Sequence, residues 1–293
     1  MIRIHAIQTG TVTIKASQPI GRGRGFQRQL NILTDPQWTA PLPIYAWVVE
    51  HPEGVIVVDT GETARTADPG YFTRWSPYFR LAVRAAVRPE DEIGPQLQRL
   101  GIAPRDVRWV VLTHLHTDHA GGLAHFPQSE ILVAREEYQA AHGVGGQLRG
   151  YLPQRWPAWF QPRFVDFAPR AVGPFPESFA LTRADDVFVL PTPGHTPHHL
   201  SVVVRAGEAT IFLAGDTSYN EALMVAQTVD GVSPDVAVAQ QTLARIRAYA
   251  QSTPLVYLPS HDPAGAQRLA ARTPVAGPAA RPPLESAPAL VRA

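Results

Sequence analysis

The sequence predicts an α/β fold, on two observations. Apolar runs of strand length recur along the chain, at Val107–Thr113, Val187–Leu190, Thr210–Ala214 and Leu255–Leu258, and each leads into a turn that carries histidine or aspartate. Segments with apolar residues at helical spacing flank them, Ile93–Leu100 before the first run and Ser233–Ala250 before the last. Short strand patterns interspersed with helical ones are the signature of an α/β architecture.

In chain order, residues 1–15 alternate as a strand through Ile2, Ile4, Ala6, Val12 and Ile14. Ser17–Pro43 is polar, with glycine, proline, Phe26 and several arginines, and reads as a long excursion. Ile44–Val49 and Val55–Asp59 form a hairpin signal broken by His51-Pro52-Glu53-Gly54. Thr63–Pro89 mixes aromatics and arginines and suits a helix or two, and Ile93, Leu97 and Leu100 mark one helical face. Ile131–Val133 is a short strand and Arg135–His142 a helix. Gly143–Pro176 reads as a long loop whose aromatics (Tyr151, Trp156, Trp159, Phe160, Phe164, Phe167, Phe175) are candidates for a substrate-side wall, weighed against simple packing. Ser201–Val204 pairs with Thr210–Ala214 about Gly207. Ser233 suits the cap and Pro234 the first turn of the helix that follows, with Val236, Leu243 and Ile246 inward.

The stretch that organises the chain is Thr113-His-Leu-His-Thr-Asp-His-Ala-Gly-Gly122. His114, His116, Asp118 and His119 are four metal-competent side chains directly after an apolar strand. Strand alternation lets His114 and His116 point the same way. Asp118 and His119 are adjacent, so they diverge and can serve a different ion. Imidazole with carboxylate suits zinc and its borderline neighbours. Gly121 and Gly122 let the backbone pass close to such a site.

His-x-His-x-Asp-His resembles the signature of the metallo-β-lactamase superfamily. That resemblance implies an αβ/βα four-layer sandwich over residues 1–272, with an Ala/Pro-rich tail over 273–293. It also implies further ligands in the order His, Asp, His. The matching positions are His195 in Pro-Gly-His-Thr-Pro-His-His, Asp216 in Gly-Asp-Thr, and His261 in Ser-His-Asp. The family pattern has a glycine where His198 stands and keeps the histidine at His199; both are expected to support the ligands from behind or to be structural rather than to bind metal. Asp59 of Asp59-Thr-Gly takes the family's supporting role behind the ligands.

By the same resemblance the cofactors are two divalent metal ions, zinc foremost, with iron, cobalt or manganese as alternatives. His114, His116 and His195 would hold one ion, and Asp118, His119 and His261 the other, with Asp216 bridging. The nucleophile would be a hydroxide between the ions, with Asp118 passing a proton to the leaving group. Tyr219 lies three residues after Asp216, as in the N-acyl homoserine lactonase (quorum-quenching) branch, where a tyrosine hydroxyl faces the substrate carbonyl. The expected activity is metal-dependent opening of the lactone ring of N-acyl homoserine lactones, a small-molecule substrate, with a glyoxalase II-like thioesterase or another lactone or ester hydrolase of the superfamily as the alternative. That alternative calls for a basic region near the C-terminus, which the Ala/Pro tail does not resemble. Asp216 and the lack of cysteine argue against a true β-lactamase, and His116 argues against a flavodiiron protein, which would carry Glu there. A purely structural zinc site is usually closed and four-coordinate, unlike seven donors for two ions.

Composition narrows the remaining classes. The 293 residues suffice for a sizeable core. A net charge of +1 without a basic block gives no reason to expect nucleic acid as a partner. No cysteine is present, so disulfides and thiolate chemistry are excluded. Neither a leader pattern nor a membrane-length apolar run is visible, so a cytoplasmic protein without a membrane partner is expected. A homodimer is the assembly the family suggests.

Overall fold

A computed structural model describes residues 2–207 and 209–276, which form two compact units. Of the described residues, the first unit comprises those up to Thr13 and Pro41–Val165; the second comprises Ile14–Ala40 and those from Asp166.

The first unit is built on a seven-stranded sheet. Its strands are β1 (Arg3–Ile14), β2 (Leu42–His51), β3 (Gly54–Val58), β4 (Val83–Ala86), β5 (Val107–Val111), β6 (Glu130–Val133) and β7 (Arg163–Phe164), in the order β4-β1-β2-β3-β5-β6-β7. The expected hairpin is β2–β3, antiparallel with Trp47 opposite Val58 and His51 opposite Gly54. From β3 onward the pairing is parallel, through β5 and β6 to β7. A parallel interior strand is covered on both faces and reads as a continuous apolar run. That is why Val110, Val111 and Leu112 are all fully buried, each contributing about 1.5–3 kcal/mol. The helix Ile93–Arg99 buries Ile93 and Leu97 in the core, whereas Leu100, expected on the same face, caps the helix and is 41% exposed.

β4 was not anticipated from the mixed aromatic segment: with alternate residues partly exposed it carries no strong apolar signal. The aromatic stretch is also more ordered than a loop. It contains the helix Gly143–Leu148 and β7. Tyr151 and Phe160 are core residues, with Trp156 and Phe164 packed against them, while Trp159 is exposed. Phe175 belongs to the core of the second unit.

The second unit has a five-stranded sheet: β8 (Phe179–Ala180), β9 (Val187–Pro191), β10 (Leu200–Ala206), β11 (Ala209–Gly215) and β12 (Leu255–Pro259), in the order β12-β11-β10-β9-β8. Only β11 and β12 are parallel. The long helix Val236–Ser252 buries Leu243 and Ile246. Its cap is Asp235, not Ser233: the Asp235 carboxylate accepts from the amides of Ala237 and Val238 at 2.9 and 3.1 Å. The polar excursion is not featureless, since it carries the helix Phe26–Thr34 with Arg28 and Ile32 buried. Beyond the last helix, Gly265–Ala271, the Val275 amide donates to Leu255 O at 2.8 Å and its side chain joins the core. The remainder of the Ala/Pro-rich tail, from residue 277, lies outside the described residues. Among the described residues no helix is long and apolar enough to cross a membrane.

Candidate metal centre

In the first unit β5 ends at Val111, and the ligand stretch follows it directly. Asp59 sits just past β3 in left-handed backbone (φ 59°), a conformation aspartate tolerates better than most residues. From there its carboxylate accepts three hydrogen bonds: from the Thr113 amide at 2.8 Å, the Thr113 hydroxyl at 2.9 Å and His119 Nδ1 at 2.8 Å. A carboxylate only accepts, so the proton of His119 is on Nδ1 and the lone pair is on Nε2. The Thr113 hydroxyl proton is committed to Asp59. Its oxygen therefore accepts from His114 Nδ1 at 3.1 Å, which leaves the His114 lone pair on Nε2 as well.

Those nitrogens lie among other donors. His114 Nε2 is 3.0 Å from His116 Nδ1, close to the spacing of two ligands on one ion at about 2.0–2.1 Å. His119 Nε2 is 3.8 Å from Asp118 Oδ1. Asp59, His114 and His119 are fully buried, while His116 and Asp118 are partly exposed.

The backbone is gripped too. The Thr60 amide and hydroxyl both donate to His119 O, and the Gly121 amide donates to Gly61 O. A Cβ on Gly122 would stand 2.3 Å from Thr60 O, so only glycine allows the two loops this close. Two carboxyls behind this stretch had no sequence signal. Glu137, fully buried, accepts from the Leu115 amide at 3.2 Å and the Tyr151 hydroxyl at 2.8 Å, anchoring the backbone between His114 and His116. Burial pushes the Glu62 carboxyl up to about 8, and the nearby Asp118 carboxylate adds to the rise.

The second unit brings together His195, after β9, Asp216, after β11, and His261, after β12. His195 Nε2 and His261 Nε2 lie 3.5 and 3.3 Å from the same oxygen, Asp216 Oδ2. Gly215, at φ 55°, supplies the left-handed turn that ends β11 just before Asp216. His195 donates from Nδ1 to Asp230 Oδ2 at 3.1 Å, and Asp230 Oδ1 in turn accepts from the Val232 and Ser233 amides. No local pattern marks this role, because Asp230-Gly231 has the composition of an ordinary turn.

His199 accepts from the Asp216 amide through Nε2 at 3.0 Å, so its proton is on Nδ1, directed at the Thr192 hydroxyl at 3.0 Å. With Nε2 taken by backbone, His199 is structural, as expected. Asp262 is also structural: it accepts from Ala264 N, Glu221 N and Arg268 Nη1, fixing the turn after His261. The Tyr219 ring stacks on His261 with centroids 5.4 Å apart, and its hydroxyl accepts from Gln18 Nε2 at 3.0 Å.

The donors are imidazole nitrogens, with the tautomers of His114, His119 and His195 set by a hydroxyl and two buried carboxylates, together with aspartate oxygens. That set fits a divalent metal of the zinc type.

Comparison with known proteins agrees with this chemistry. The profile of the metallo-beta-lactamase superfamily matches residues 39–261. A probable metallo-hydrolase of Mycobacterium tuberculosis is 32% identical over 209 residues, 69% of this chain and 64% of that protein. The chain thus spans under two thirds of that relative's length. The N-acyl homoserine lactonase AttM of Azorhizobium caulinodans is 26% identical over 272 residues, 89% of this chain and 94% of that one. Among solved structures, an N-acyl homoserine lactone hydrolase with the product N-hexanoyl-L-homoserine bound at its catalytic metal center matches with a TM-score of 0.71. It is 24% identical, with 89% of this chain and 93% of that one covered, a likeness of fold.

Proposed function

The chain belongs to the metallo-beta-lactamase superfamily, and on that footing we propose that it is a metal-dependent hydrolase that opens the ring of N-acyl homoserine lactones. His114, His116 and His195 would hold one ion and Asp118, His119 and His261 a second, with Asp216 available to both. A divalent metal held by these residues would supply Lewis acidity toward the lactone carbonyl and would lower the pKa of water toward neutrality.

The observation that carries the lactone assignment is Tyr219. It follows Asp216 by three positions, stacks on His261 and is held at its hydroxyl by Gln18. A buried phenol beside the ligands is suited to donate a hydrogen bond to a carbonyl oxygen as negative charge builds on it. Two of the relatives above are named for this substrate class. In the reaction, water adds to the carbonyl carbon, the ring C–O bond breaks and one proton moves to the departing ring oxygen. Asp118, partly exposed and next to His119, is the group assigned to carry that proton.

The test is one hydrolysis panel with metal analysis of the same preparation. The substrates are acyl homoserine lactones of several chain lengths, other lactones, simple esters, S-lactoylglutathione and a cephalosporin. Ring opening of the acyl homoserine lactones with about two metal ions per chain is the expected result. An enzyme that hydrolyses S-lactoylglutathione well and ignores every lactone would overturn the proposal.

A further inference from the structure

The polar excursion of the second unit has a role that the proposed reaction leaves unassigned. Gln18, from this segment, is 4% exposed, as is Tyr219, and its Nε2 donates to the Tyr219 hydroxyl oxygen at 3.0 Å. A buried glutamine is costly unless its amide is satisfied. Here its backbone is fixed from both sides: the Gln18 amide donates to Lys15 O at 2.8 Å, and Gln18 O accepts from the Gly231 amide at 2.7 Å. The same excursion holds the 229–231 loop elsewhere, through the Gly21 amide on Val229 O and the buried Arg28 guanidinium on Val229 O and Asp230 O. Asp230 is the carboxylate that orients His195. One segment, 201 residues from Tyr219 in sequence, thus braces both the phenol and the support of a ligand histidine.

A phenol has one hydrogen and can both donate and accept. With an amide N–H already directed at its oxygen, the hydroxyl cannot point its own hydrogen at Gln18. Accepting a bond also polarises the O–H and strengthens its donation. Resting on the lactonase reading above, we propose that Gln18 is a positioning residue that presets the Tyr219 hydroxyl as a hydrogen-bond donor to the lactone carbonyl. Turned over, with Oε1 facing the phenol, the amide would take the hydroxyl's hydrogen for itself and leave Tyr219 unable to donate to substrate.

The test is steady-state kinetics of the metal-loaded enzyme on one acyl homoserine lactone, for wild type, Gln18→Met, Gln18→Glu, Tyr219→Phe and the Gln18→Met/Tyr219→Phe double variant. Gln18→Met keeps the length and removes the donor. It should lower kcat by about tenfold while KM moves by less than about twofold. In the Tyr219→Phe background it should cost less than about twofold more, because the group it acts through is already gone. Gln18→Glu accepts instead of donating, should lose at least as much kcat, and serves if the methionine variant folds poorly. Independently of turnover, the Cζ resonance of Tyr219 in tyrosine-labelled protein, identified by its loss in Tyr219→Phe, should move in Gln18→Met. Wild-type kcat in Gln18→Met or in Gln18→Glu, a loss that multiplies with that of Tyr219→Phe, or an unmoved resonance would each overturn the inference while leaving the lactonase reading intact. Wild-type turnover in Tyr219→Phe would instead remove Tyr219 from the reaction, and Gln18 with it.

Discussion

In the first unit four donors come from one short stretch, His114–His119; in the second, three donors come from the ends of three different strands. Both units use the same device, a buried carboxylate on the Nδ1 of a proposed ligand histidine: Asp59 on His119 and Asp230 on His195. The carboxylates differ in what else they hold. Asp59 also takes the amide and hydroxyl of Thr113, so it fixes the end of β5, the His114 tautomer and the His119 tautomer together. Asp230 takes two amides of its own loop, so only His195 depends on it directly. A contiguous ligand set can be locked as a block by one neighbour. A dispersed set needs a separate support for each strand end, which is where His199, Asp230 and Asp262 come in.

The largest expected effect lies in the dispersed set. Asp216 is the oxygen donor on which His195 and His261 converge. Asp216→Asn should therefore lower kcat by more than the roughly 10–100-fold typical of losing an outer partner. Metal content and kcat measured on the same preparation check it, and near wild-type values would remove Asp216 from the ligand set.

Next come the two supporting carboxylates, which probe the contrast directly. Asp59→Asn should weaken metal affinity or activity toward the upper end of roughly 10–100-fold, and Asp230→Asn toward the lower end. Metal titration of both variants side by side decides. A larger loss for Asp230→Asn would show that block support is no stronger than single support.

Chelation should remove activity from either set, with far less loss of far-ultraviolet dichroism than of turnover. The proposed ligands lie at strand ends, and each unit has its own apolar core. Collapse of the dichroism on chelation would mean that the metal, not the cores, holds the fold.

The smallest effect concerns the loop that seats the contiguous set. Gly122→Ala forces a Cβ toward Thr60 O and should cost about 1–3 kcal/mol of stability, the usual price of overpacking. Denaturant unfolding measures it, and an unchanged midpoint would mean that the Asp59 loop yields.

Much of the site was legible in the sequence because its donors are chemically conspicuous and follow strong apolar runs. Local pattern alone set β5, β9, β11 and β12 and the residue types after them, and the hairpin β2–β3 was equally plain. The αβ/βα arrangement, the order of ligands and the part given to Asp59 came through family resemblance, not periodicity. β4 and β8 are short and half-exposed, so their pairing partners rather than their own side chains make them strands. Leu100 fits a helical face by spacing, but the helix ends one residue earlier and turns it outward.

Gln18, Glu62, Glu137 and Asp230 could not be found from sequence. A glutamine, glutamate or aspartate is ordinary in a polar run, and its importance depends on burial and on which partner meets it. Those are long-range properties: Gln18 meets Tyr219 across 201 residues, and Asp230 meets His195 across 35. The sequence by itself determined which side chains can bind a metal and which strands deliver them. Only the tertiary structure decided which tautomer His114, His119, His195 and His199 hold, because a ring nitrogen's proton is set by the acceptor or donor that folding brings to it.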